Sequence, residues 1–87
     1  MFTEFFDEDW PTYFATLDHA MKVRVAKKIR KILERPKKRH MRKNARFFVD
    51  EVGQYRITYR VFDEQNQVRF YFVGDHKQYE KWYSIYH

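Results

Sequence analysis

Between Met21 and Leu33 the apolar residues Met21, Val25, Ile29, Ile32 and Leu33 recur at i, i+4, i+8, i+11 and i+12; beyond Asn44 the period falls to two. The first spacing lays one apolar stripe along a helix. In the second, Tyr55, Ile57, Tyr59 and Val61 alternate with Arg56, Thr58, Arg60 and Phe62, and Val68, Phe70 and Phe72 with Arg69, Tyr71 and Val73. Each run reads as a strand with one apolar face. A chain that changes period once must lay a helical layer on a sheet, and 87 residues leave room for one such core.

The punctuation fixes the remaining elements. Residues 1–6, with three phenylalanines, read as a short strand. Asp7-Glu8-Asp9 and Pro11 open a first helix running to about Leu17, and Asp18 caps a second that ends before Pro36. After the basic loop 37–44, Arg46–Val52 reads as a strand turned at Gly53 into 55–62; Asp63–Gln67 makes a polar hairpin loop, and Gly74-Asp75 closes the last strand. Tyr79–Tyr86 reads as an aromatic tail, helical or irregular. The expectation is a single α+β domain over 1–87, ordered β-α-α-β-β-β. An N-terminal strand and a helical hairpin precede a three-stranded antiparallel meander, forming one sheet with helices on one face. The other face, carrying Arg56, Arg60, Arg69 and Tyr71, is expected to be open.

Charge is segregated along the chain. Residues 1–18 carry five acids and no Lys or Arg, 19–46 carry thirteen Lys and Arg against Glu34 alone, and 47–87 carry five against six, which sums to the net +6. A block of +12 repels itself in the folded state and points to a polyanionic partner, the alternative being a solvated helix face kept basic for solubility; the first reading places Lys27, Lys28, Lys31, Lys37, Lys38, Arg39, Arg42 and Lys43 as nucleic-acid-binding candidates. Several chemistries lack their residues. With no cysteine there is no disulfide, thiolate metal site or thiol nucleophile; no phosphate-loop or dinucleotide glycine pattern occurs, and His19, His40, His76 and His87 are scattered. Neither a metal nor a cofactor is expected. The longest uncharged run, Trp10–Leu17, is too short to span a membrane, so no membrane partner and a cytoplasmic location are expected. What remains is phosphate-directed chemistry from Arg, Lys, His and Tyr. RNA cleavage can run on these, because its nucleophile is the substrate's own 2′-hydroxyl.

The run Val52-Gly53-Gln54-Tyr55-Arg56-Ile57-Thr58-Tyr59, the strand Val68–Val73 and the ending Gly74-Asp75-His76-Lys77-Gln78-Tyr79 resemble the RelE/ParE superfamily of toxin–antitoxin toxins. Leu33-Glu34-Arg35-Pro36, closing a basic amphipathic helix, fits that family's helical hairpin. The resemblance implies a RelE-like toxin that cleaves mRNA on the ribosome as an endoribonuclease, with a cognate antitoxin masking it in a hetero-oligomer; charge complementarity expects that antitoxin to be acidic where it crosses the +12 block. It implies that Arg56 contacts the scissile phosphate, that His76 with Lys77 beside it stands where many members have a second arginine, and that Tyr79 matches the C-terminal tyrosine. Well-studied members carry catalytic lysines in the strand before the Tyr-Arg strand; here that stretch is Phe47-Phe48-Val49, with Arg46 just outside. The candidate catalytic set is therefore Arg46 and Arg56 holding phosphate, His76 or Lys77 moving protons, and Tyr79 positioning or stacking. The alternatives are a ParE-like gyrase poison without nuclease activity, or a catalytically decayed nucleic-acid- or antitoxin-binding module.

Overall fold

The computed structural model describes residues 1–36 and 47–86. Strand β1 (Thr3–Phe6) leads into helices α1 (Trp10–Ala15) and α2 (His19–Glu34). Strands β2 (Phe48–Val52), β3 (Tyr55–Phe62) and β4 (Gln67–Asp75) follow, and helix α3 (His76–Tyr86) ends the described chain. The α+β order is the expected one, with the tail resolved as a third helix. The sheet is mixed, in the order β1-β4-β3-β2: β1 runs parallel to β4, and the meander β2-β3-β4 is antiparallel. β2 is therefore an edge strand, and Gly53 turns it into β3 with φ +59°, a left-handed conformation that side chains disfavour.

Helix α2 starts where Asp18 Oδ1 accepts a 2.8 Å hydrogen bond from the Met21 amide. Its stripe is the core: Val25, Ile29, Ile32 and Leu33 are buried against Val52, Ile57, Tyr59, Val68, Phe70 and Val73, joined by Trp10 and Leu17. Each such side chain, fully buried, contributes about 1.5–3 kcal/mol. Tyr59 reaches across to donate its hydroxyl to the Pro36 carbonyl, tying the end of α2 to the middle of β3.

The other face of the sheet is not open along its whole length, and this amends the expectation of helices on one face only. β4 carries a bulge. Tyr59 pairs with Phe70 and Thr58 with Phe72, leaving Tyr71 without a partner on β3. The extra residue reverses the alternation, so Val73 joins the α2 core while Phe72 turns to the opposite face beside Thr58. There Phe72, Phe47, Tyr79 and Trp82 form a second buried cluster, with the Phe72 and Trp82 rings stacked at 5.2 Å. Helix α3 packs on that cluster. It leaves uncovered the Arg60 and Arg69 end of the face and, at the other end, the surroundings of Arg56.

Candidate nucleic-acid interface

Arg56 projects from β3 with Glu51 opposite it on β2 and Gly74 opposite it on β4, all on the α3 side of the sheet. Its guanidinium lies over the Tyr79 ring, 4.8 Å from the centroid. A ring beneath a guanidinium fixes its plane and leaves the outer donors free, an arrangement worth about 0.5–2 kcal/mol depending on how dry it is. Tyr79 is itself held by Phe72 at 6.4 Å and by Tyr83, stacked at 5.7 Å. Among the described residues, no carboxylate forms an ion pair with Arg56, so Glu51 is a facing charge rather than a clamp.

The start of α3 brings the other two groups alongside. The Gln78 amide donates to Asp75 Oδ1 and the Asp75 amide donates to Gln78 Oε1, each at 2.8 Å: a reciprocal capping box. That cap places His76 and Lys77 on the exposed first turn, where with Arg56, Gln54, Glu51 and Asp75 they border a cavity of about 580 Å³. His76 Nε2 lies 3.1 Å from Glu80 Oε1 one turn on, which orients the imidazole. Gly74 makes the packing possible. A Cβ there would fall 2.6 Å from Phe72 Cζ and 2.8 Å from Gln78 Oε1, so only a residue without a side chain lets α3 begin against the sheet.

Of the candidate catalytic residues, Arg56, His76, Lys77 and Tyr79 thus come together. Arg46 lies outside the described residues, as do Lys37, Lys38, Arg39, Arg42 and Lys43. Lys27 and Lys31 are exposed on α2. Lys28 is half-buried, its Nζ 3.6 Å from the carboxylate of the buried Asp50, which binds α2 to the edge strand. Phe47 and Val49, standing near where the family resemblance leads one to look for lysines, belong to the aromatic cluster under α3 and supply no charge. Arg24, one of the thirteen cations of residues 19–46, is a site residue that the sequence candidates do not include. A Cβ on Gly53 would lie 3.2 Å from its Nη2, so its guanidinium rests against the β2–β3 turn. The signal was its spacing from Lys27, Lys28 and Lys31, at i, i+3, i+4 and i+7. Among the described residues no cluster of three or more His, Asp or Glu could hold a metal ion, and no helix is long and apolar enough to cross a membrane.

No protein-family model matches the sequence, and no curated protein does. Solved structures do match. The isolated RelE toxin of E. coli superimposes with a TM-score of 0.76 at 22% identity, over 98% of this chain and 99% of that one. A chain of the intact E. coli RelBE toxin–antitoxin complex gives 0.77 at 24% identity over 86% and 96%. One from the Mycobacterium tuberculosis toxin–antitoxin complex RelBE2 gives 0.74 at 23% over 85% and 96%. From β1 to α3, this chain has the fold of the RelE toxins.

Proposed function

We propose that the chain is the toxin of a toxin–antitoxin system: a metal-independent endoribonuclease that cleaves mRNA, in association with the ribosome, by attack of the 2′-hydroxyl on the adjacent phosphorus. The observation that carries this reading is the Arg56 guanidinium, placed over the Tyr79 ring and lining one cavity together with His76 and Lys77. In that reaction a base takes the 2′-hydroxyl proton as the oxygen bonds to phosphorus. An acid delivers a proton to the 5′-oxygen as the P–O bond breaks, leaving a 2′,3′-cyclic phosphate and a 5′-hydroxyl. Arg56 holds the phosphate while charge builds on its equatorial oxygens, a task its planar donor fork suits. His76 and Lys77 share the proton transfers. The contact of His76 Nε2 with Glu80 favours the proton on that nitrogen, leaving Nδ1 as the accepting atom of a neutral ring. Tyr79 is buried, so of its two possible tasks it takes positioning: it stations Arg56 rather than stacking on a base.

The fold shared with toxins solved in complex with RelB-type antitoxins supports a protein antitoxin as the partner, acidic where it crosses the +12 block. A non-nuclease toxin, ParE-like or decayed, is the second reading. It is favoured by the burial of Phe47, near where the resemblance calls for a lysine. A purified translation reaction separates the two. The nuclease reading expects the protein to cut ribosome-bound mRNA into fragments with 5′-hydroxyl ends; intact mRNA would end it, and DNA breaks in the presence of gyrase with mRNA whole would select the ParE-like alternative.

A further inference from the structure

The Arg56 centre does not stand alone. A second cavity, of about 350 Å³, lies between α2 and the outer edge of β2, and its lining includes Glu51 and Gly53, which also line the Arg56 cavity. On its α2 wall stand Arg24, Lys27, Lys28 and Lys31, one stripe of four cations spanning about 10 Å of helix. On its sheet wall Val52 belongs to the α2 face and Glu51 to the Arg56 face, so this hollow is the passage from one face of the sheet to the other around its edge. The turn at Gly53 keeps the passage low: with φ +59° and no side chain, it lets the Arg24 guanidinium rest on the backbone of the hairpin that carries Arg56. Among the described residues that line the hollow Glu51 is the one carboxylate, and Lys28 is turned to Asp50 beside it.

We infer that a single-stranded RNA engaged at Arg56 continues around the β2 edge, over the Gly53 turn, with its flanking phosphates held by the exposed Arg24, Lys27 and Lys31. This rests on the reading of Arg56 as the phosphate-holding centre and extends it to a footprint several nucleotides longer, with Arg24 as its first flanking contact. Aligned cations on a helix beside an outer strand edge suit a regularly spaced polyanion, and the absence of an aromatic residue among the described residues that line the hollow suits backbone rather than base contacts.

The test is equilibrium binding of 2′-O-methyl RNA, which cannot be cleaved, measured by fluorescence anisotropy with a trinucleotide and a dodecanucleotide. The two probes are titrated into the wild type, R24A/K27A and R56A, with folding checked by circular dichroism. Both residues of the double variant are exposed on α2, where alanine is the best helix former. The inference expects the wild type to bind the dodecamer at least tenfold more tightly than the trimer, and R24A/K27A to bind the trimer unchanged while losing that gain. Removing two phosphate contacts should also flatten the salt slope by about 1.4, so that the wild-type advantage for the dodecamer shrinks about sevenfold between 50 and 200 mM salt. Wild-type affinity of R24A/K27A for the dodecamer, or equal losses for both probes, overturns the path. R56A that binds the trimer as the wild type does overturns the underlying centre instead, and no binding of either probe overturns both. If an oligoglutamate peptide binds more tightly than the dodecamer and loses affinity in R24A/K27A, the passage holds an acidic protein segment and not RNA.

Discussion

Replacing Gly74 with alanine tests whether α3, and with it the Arg56 cavity, is set by a single close approach. The new methyl would meet Phe72 Cζ at 2.6 Å and Gln78 Oε1 at 2.8 Å. Phe72 cannot retreat, because it is buried and stacked at 5.2 Å on Trp82. Gln78 can, but only by breaking the capping box with Asp75. Overpacking a filled site costs about 1–3 kcal/mol and a lost helix cap about 1 kcal/mol, offset by the 0.5–1 kcal/mol that alanine regains over glycine in a strand. The net loss is about 1–3 kcal/mol, and a 2 kcal/mol loss lowers the Tm of a domain this size by about 8–16 °C. Thermal and urea unfolding followed by circular dichroism read it. Pairing the change with Phe72→Leu, which removes the clashing atom, should show a coupling of at least about 0.5 kcal/mol in the double-mutant cycle. Stability of Gly74→Ala within about 0.5 kcal/mol of wild type, or strict additivity with Phe72→Leu, would refute the close approach as the organising contact.

Trp82→Ala should cost about 3–5 kcal/mol, a large share of the 4–13 kcal/mol available to 87 residues, and should release α3 from the sheet; near-ultraviolet dichroism reports the loss of the aromatic cluster. Glu51→Gln removes the facing carboxylate from both cavities and should tighten oligonucleotide binding by up to about fivefold, measured by anisotropy at low salt. Polynucleotide affinity should fall with log salt at a slope of about −4 if six phosphates are neutralised on a single strand; a flat profile would make the basic block a solvated surface.

The two periods in the sequence carry most of the architecture, because a helical stripe and an alternating strand each bury one face. Val25, Ile29, Ile32 and Leu33 lie where the stripe puts them, and Ile57, Tyr59, Val68 and Phe70 lie where the alternation does. Phe72 does not. The bulge at Tyr71 adds one residue to β4, and a bulge has no compositional signature, so simple alternation assigned Phe72 to the wrong face. The second aromatic cluster was hidden for the same reason, and the face above it looked open. Helix α3 did leave a mark, the spacing Asp75-x-x-Gln78 of a capping box, but Gly74-Asp75 reads equally well as the end of a strand. At the candidate site, the grouping of Arg56 with His76 and Lys77 was legible because β3 and the end of β4 must be neighbours in a meander. The contact of the Arg56 guanidinium with the Tyr79 ring depends on the depth to which α3 sinks, which only tertiary packing sets.

The most direct test of the Arg56 centre is single-turnover cleavage of ribosome-bound mRNA by the wild type, Arg56→Ala and Arg56→Lys, each shown to be folded. Removal of one preorganised donor to a charged transition state typically costs about 10²–10³ in rate. A loss of that size in Arg56→Ala, only partly restored by the lysine that lacks the planar fork, is the predicted result; cleavage by Arg56→Ala at the wild-type rate would contradict it.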